Sequence, residues 1–280
     1  MTGALTLGYS PCPNDTFLFY ALAQGLIELP GLQLPPLLAD VETLNNLARA
    51  GRLEISKVSC HALGQLRRDY ALLRSGAALG CGCGPLLVAR QDLSTAALAD
   101  ATIAIPGGLT TAGLLLRLWQ PQCGQLLIMP FDRIMTAVGN GQVDAGMLIH
   151  EGRFTCEQQG LVKLIDFGCW WQELTGLPLP LGAIVARREL GSERIALIEK
   201  AIAASAAFAS NHPQQPLPYI RQHAQEKTDE AIQRHIALYV NDFSFDLGDE
   251  GLAAIDELLG RAAAAGLIPP QEGPLLAETD

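Results

Sequence analysis

The stretch G-P-L-L-V-A-R, Gly84 to Arg90, is echoed roughly a hundred residues later by G-A-I-V-A-R, Gly182 to Arg187. Each copy is an apolar run of strand length, and each ends in the same Val-Ala-Arg. One lobe's worth of strand-then-helix units lies between them. The chain is therefore expected to cross into a second lobe through the first strand and to return through the other. On this reading residues 1–90 plus 187–280 form the first lobe, residues 91–186 form the second, and a ligand cleft opens between them. The two Val-Ala-Arg strands would then lie side by side as the hinge.

The units are legible as apolar strands running into short loops rich in Gly, Pro, Ser or Thr, each followed by a helix-like run. Leu5 to Tyr9 leads through S-P-C-P-N-D to a helix expected from about Thr16, capped by Asn14 or Asp15. Gln33 to Leu38 leads through A-D-V-E-T to a helix with Leu44, Leu47 and Ala48 on one face. Leu53 to Ser56 is followed by a K-V-S loop and a helix to about Arg68. Thr102 to Ile105 runs into P-G-G and a helix with Thr110 or Thr111 at its cap. The alanine-rich runs Ile195 to Ala209 and Leu252 to Ala265 read as helices that close the first lobe, with a turn near Pro216.

Composition narrows the function. With 280 residues, 49% of them hydrophobic, the chain can bury a full core. No apolar run reaches membrane-spanning length, and the N-terminus M-T-G-A-L-T-L-G-Y-S lacks the cationic and apolar segments of a secretory signal, so a cytoplasmic location and no membrane partner are expected. A formal net charge of −10 argues against nucleic acid, which needs a basic face. The seven cysteines are an odd, scattered set that fits reduced thiols. Neither the C-G-C-G at Cys81 to Gly84 nor any other cluster has the spacing of a metal site, and no phosphate-binding glycine signature or serine elbow appears. No metal and no cofactor are expected.

The candidate chemistry sits where strands end. Ala145 to Thr155, A-G-M-L-I-H-E-G-R-F-T, delivers His150 from a buried strand into a polar turn, the place where open α/β sheets bind ligands. His150 is the candidate general base, against the alternative of a core histidine satisfied by backbone groups. Glu151 is expected to pair with a cation or a helix start, and Arg153 to brace the loop. Thr110 and Thr111, after P-G-G, stand where unpaired amides and the helix dipole favour a carboxylate or polyol oxygen, although a threonine there is also an ordinary cap. Lys57 and Ser59 in the K-V-S loop favour an anion, and the two prolines of S-P-C-P-N-D can hold Asn14 and Asp15 toward it. The expected partner is a small anionic substrate.

Taken together, S-P-C-P-N-D-T-F (Ser10–Phe17), D-V-E-T-L-N (Asp40–Asn45), R-S-G-A-A-L-G (Arg74–Gly80), L-I-H-E-G-R-F-T (Leu148–Thr155) and W-W-x-E-x-T-G-L-P-L-P-L-G (Trp170–Gly182) resemble the 1,4-dihydroxy-6-naphthoate synthase family of the futalosine route to menaquinone. The resemblance covers nearly the whole chain. It implies a periplasmic-binding-protein-like type II fold used as a cytosolic lyase that turns cyclic dehypoxanthine futalosine into 1,4-dihydroxy-6-naphthoate. It places the catalytic histidine at His150 and substrate contacts at Lys57, Val58, Ser59, Thr110 and Thr111. Two other readings stay open: a chorismate dehydratase of the same fold, which the L-I-H-E segment opposes, and a protein that binds a small carboxylate without reaction.

Overall fold

The structure is a computed structural model that describes residues 3–150, 152–225, 228–270 and 273–277. Its strands are β1 (Gly3–Ala4), β2 (Leu7–Tyr9), β3 (Leu32–Gln33), β4 (Pro36–Leu38), β5 (Ile55–Ser59), β6 (Tyr70–Leu72), β7 (Ala78–Gly80), β8 (Leu86–Ala89), β9 (Thr102–Ile105), β10 (Gln125–Ile128), β11 (Ala145–Leu148), β12 (Val162–Asp166) and β13 (Leu179–Arg187). The helices around the first part of the chain are α1 (Pro13–Leu18), α2 (Tyr20–Ala23), α3 (Val41–Arg49) and α4 (Cys60–Leu66). They are followed by α5 (Thr111–Trp119), α6 (Phe131–Gly139), α7 (Gly152–Thr155) and α8 (Phe167–Thr175). The C-terminal helices are α9 (Ser192–Asn211), α10 (Leu217–His223), α11 (Asp229–Tyr239), α12 (Asp242–Phe245) and α13 (Gly248–Ala264).

Two mixed sheets organise these elements. The first has the order β4-β2-β5-β13-β6, with β7 also paired to β13, and the second has the order β10-β9-β11-β8-β12. Within the first, β4, β2 and β5 run parallel and β13 runs against β5, β6 and β7. Within the second, β10, β9 and β11 are parallel and β8 opposes β11 and β12. The carboxyl ends of the parallel strands in both sheets, and the beginning of the antiparallel β13, deliver the loops that form a common cleft.

Strand alternation distributes the core. On β8, Leu87 and Ala89 join a cluster that also holds Val58, Leu63, Ile103, Leu114 and Trp171, whereas Leu86 and Val88 face Ile134 and Val138 of α6. The larger cluster therefore draws side chains from both sheets and from α4, α5 and α13, so one apolar layer underlies the cleft. A separate cluster packs α9, through Ile198 and Ile202, against Leu7, Ile55 and Ile184 of the first sheet. Caps are local and sequence-encoded: Asp40 accepts from the amides of Glu42 and Thr43, Thr110 from Gly113 and Thr228 from Ala231.

Three expectations are corrected. The Val-Ala-Arg strands are not paired: β8 belongs to the second sheet and β13 to the first, and their entries come close, where a β-carbon on Gly84 would meet Leu179 Cδ2 at 2.7 Å. The two runs are alike in sequence, but hydrogen-bond pairing depends on long-range register that the run itself does not carry. The K-V-S segment is the last part of β5 and not a loop, because its residues continue the ladder to β13 from Ile55↔Ala186 to Ser59↔Gly182. Helix α1 starts at Pro13 with Cys12 at its cap position, so Asn14 and Asp15 lie in the first turn and do not cap it.

Candidate active site

Four loops and the end of β5 converge on the cleft. From the first sheet come Ser10 and the start of α1 after β2, Val41 after β4, and Lys57 and Ser59 on β5. From the second come Thr110 and Thr111 after β9, and Ile149 and His150 after β11. Leu181 and Gly182 of β13 and His235 and Tyr239 of α11 complete the walls. This first chamber holds about 690 Å³ of space, its open mouth included. A second chamber of about 730 Å³, walled by Pro11, Cys12, Phe131 and Gln225, shares Ser10, Val41, His150 and His235 with it. The two histidines stand at the junction.

His150 has backbone φ of 55°, the one positive value at a non-glycine residue among those described. A β-carbon in the left-handed region is strained, and such strain concentrates at functional sites. The half-buried imidazole lies with Nδ1 3.6 Å and Nε2 3.7 Å from Cys12 Sγ, edge-on to Phe131 at 5.1 Å, and stacked on His235 at 6.0 Å between ring centres. The following turn is braced by Arg153, which donates to Gly84 O at 3.0 Å and to Asp166 Oδ2 at 2.9 Å, as expected. Glu151 lies outside the described residues.

Asn14, Asp15, Lys57 and Ser59 are brought to the same wall. Lys57 Nζ is 3.1 Å from Asp15 Oδ1 and donates to Gly76 O at 2.7 Å, with both charged side chains almost fully buried. Asp15 also accepts from Ser10 N and Oγ and from Asn14 Nδ2. Lys57 therefore reaches the cleft already paired with an internal carboxylate, and it does not offer a bare positive charge to an anion. Val58 is the exception among the expected residues. Its side chain is fully buried in the core, because alternation on β5 sends Lys57 and Ser59 to the cleft and the residue between them away from it.

Beside α5 the threonines are engaged: Thr110 caps the helix and also donates to Gly107 O at 2.8 Å, while Thr111 Oγ1 donates to Leu181 O at 2.7 Å and so ties α5 to β13. Both hydroxyls are engaged within the protein. What α5 presents to the cleft is the orphan N–H groups of its first turn, at Thr111 and Ala112, which also line the chamber. The P-G-G loop before it holds an anion of the protein's own: Leu109 N donates to Glu42 Oε1 at 3.1 Å, and Glu42 in turn accepts from Asn45, which also contacts Ser59. A β-carbon at Gly107 would stand 2.3 Å from Glu42 Cδ, so this approach requires glycine.

Ser10, His235 and Tyr239 were not foreseen. Ile232, His235 and Tyr239 are the buried residues of α11, at helical spacing, and this placed a histidine on an apolar face. That pattern is the available signal, but it does not say which cavity the face lines. Burial and the neighbouring His150 push the His235 pKa down to about 3, and burial pushes Tyr239 up to about 12. His61, also buried, is lowered by desolvation and has its ring nitrogens 3.3 Å from Thr110 O and 3.4 Å from Leu267 O. Among the described residues no cluster of His, Cys, Asp and Glu is arranged to hold a metal ion, and no helix is long and apolar enough to cross a membrane.

Two α/β lobes carrying strand-end loops around a cleft define the class, a periplasmic-binding-protein-like fold. A Candida albicans protein described as exhibiting the generic periplasmic binding protein fold superposes with a TM-score of 0.70 at 14% identity, covering 96% of this chain and 92% of that one. The family is shown at higher similarity. Residues 5–264 match the family described as menaquinone biosynthesis. The 1,4-dihydroxy-6-naphthoate synthase of Thermus thermophilus is 50% identical over 97% of this chain and 98% of its own length, and that of Streptomyces coelicolor is 47% identical over 95% of both. The chain belongs to the menaquinone biosynthesis family and, within it, to the 1,4-dihydroxy-6-naphthoate synthases, and it is an enzyme of that biosynthesis.

Proposed function

We propose that the protein is a carbon–carbon lyase that converts cyclic dehypoxanthine futalosine to 1,4-dihydroxy-6-naphthoate, with His150 as general base. The observation that carries the reading is the strained His150, held at the junction of two chambers in a chain whose relatives are named for this product. Loss of a hydroxyl proton to the imidazole lets the oxygen become a carbonyl as the adjacent carbon–carbon bond breaks. The electron pair of that bond passes into the ring, which becomes aromatic. A neutral imidazole suits the proton transfer near physiological pH.

The substrate carboxylate is assigned to the α5 start, where the first-turn amides and the helix dipole favour an anion in a chain of overall negative charge. Ser59, Thr111 and the paired Lys57 and Asp15 shape the polar wall around it, and Asn14 extends that wall to His235. No metal or cofactor takes part in this scheme. Closure of the cleft in the cytoplasm would exclude water from the reacting centre.

Incubating the protein with cyclic dehypoxanthine futalosine and following the mixture by mass spectrometry tests the reading. Formation of the dihydroxynaphthoate is expected. Substrate that binds and is recovered unchanged would instead support a binding protein, and no interaction at all would remove this substrate.

A further inference from the structure

The amide of Asn14 settles the protonation of a second histidine. Asn14 Nδ2 donates to Asp15 Oδ1 at 2.9 Å, and a carboxylate oxygen only accepts, so turning the amide round would set its carbonyl against that charge. Asp15 is itself fixed by Ser10 and by Lys57. Asn14 Oδ1 therefore faces His235 Nε2, 3.0 Å away, and needs a donor there. His235 carries its hydrogen on Nε2, and Nδ1 keeps a lone pair.

That Nδ1 is buried and has no hydrogen-bond partner among the described residues. Buried acceptors in folded proteins are almost always satisfied, by protein, by water or by a bound molecule. The ring is 1% exposed, lines both chambers, stacks on His150 at 6.0 Å and has Tyr239 at 4.9 Å on the next turn of α11. A group bound in the chambers that the ring lines would supply that partner.

We propose that His235 Nδ1 is a substrate-binding atom that accepts a hydrogen bond from a ligand hydroxyl at the junction of the two chambers. The inference rests on the reading of the cleft as the naphthoate-forming site. Its strongly depressed pKa keeps the ring neutral across the working pH range, so His235 holds and His150 moves the proton. An acceptor lone pair also repels a carboxylate, so His235 orients the ligand with its hydroxylated part at the histidines and its carboxylate toward α5.

The deciding measurement is nitrogen NMR of the native protein, labelled with ¹⁵N-histidine and titrated anaerobically with 1,4-dihydroxy-6-naphthoate. Signals of His235 are identified by their loss in His235→Gln. Without ligand, Nδ1 should resonate as an unprotonated nitrogen and Nε2 as a protonated one; saturation should move Nδ1 toward the hydrogen-bonded range and leave Nε2 in place. If the naphthoate shifts His150 while His235 Nδ1 stays still, the inference falls and the reading of the site survives. If neither histidine responds, that reading fails and the inference with it.

Kinetics supply the second arm. His235→Phe keeps a ring but removes the acceptor, and KM should rise about 10–100-fold with kcat changed far less. His235→Gln, which offers an amide oxygen, should recover KM to within about 10-fold of native. A native KM in a folded His235→Phe protein would overturn the proposal.

Discussion

Replacing His235 with glutamine should flatten the loss of stability in mild acid. The ring's pKa is about 3 in the folded protein, against an ordinary histidine value of 6.5 that the unfolded chain recovers. Because the folded value is the lower one, protonation favours the unfolded state. The contribution is fully present above pH ~6.5 and is withdrawn as the pH falls toward ~3. Integrating between those two values gives a loss of about 2 kcal/mol by pH ~5 and about 3 kcal/mol by pH ~4. For a chain of this size the first figure corresponds to about 4–8 °C in Tm. Glutamine does not titrate, so urea unfolding of both proteins at pH ~7.5 and ~5 should show the native protein losing about 2 kcal/mol more than the variant. Buried His61, also depressed, contributes with the same sign but is present in both proteins and cancels in the difference. Equal pH dependence in the two proteins would mean that His235 titrates as an open, solvated histidine, and the reasoning about its burial would fail.

Other perturbations follow from the site. His150→Ala should cost about 10²–10⁴ in single-turnover rate with substrate affinity largely kept, and a folded variant with near-native turnover would remove His150 from the mechanism. Asp15→Ala should destabilise by about 3–5 kcal/mol, because it strands the buried Lys57 ammonium and three donors at once; denaturant titration checks this, and a change below about 1 kcal/mol would show the pair to be solvated. Thr111→Ala breaks the hydrogen bond that ties α5 to β13 beside the anion site, so it should raise KM more than it lowers kcat, and an unchanged KM would count against that assignment.

Periodicity and punctuation carried a good deal of this protein. The apolar runs that became β2, β9 and β11 and the Thr110 cap of α5 are local patterns, decided by residues within a few positions of each other. The delivery of His150 and of Thr110 and Thr111 to strand ends followed from the same patterns, and the cleft formed at those ends. Whether K-V-S was loop or strand could not be read locally, because the segment is extended by pairing with β13, whose nearest paired residue is over a hundred positions away. That one difference decided Val58, since successive residues of a strand face opposite sides and Val58 lies between the cleft-facing Lys57 and Ser59.

The sequence by itself therefore determined several strands and helices, the Thr110 cap, the family and most of the strand ends that bear the site, because these depend on short-range backbone preferences and on motifs read in line. Tertiary structure alone decided the pairing of Lys57 with Asp15, the docking of Glu42 into the glycine loop, and the arrival of His235 against Asn14 from 221 residues away. Each of those depends on which charged or polar groups are desolvated together. Desolvation is a property of the packed whole, because the cost of burying a polar group is offset only by whichever distant partner the fold brings within hydrogen-bonding reach.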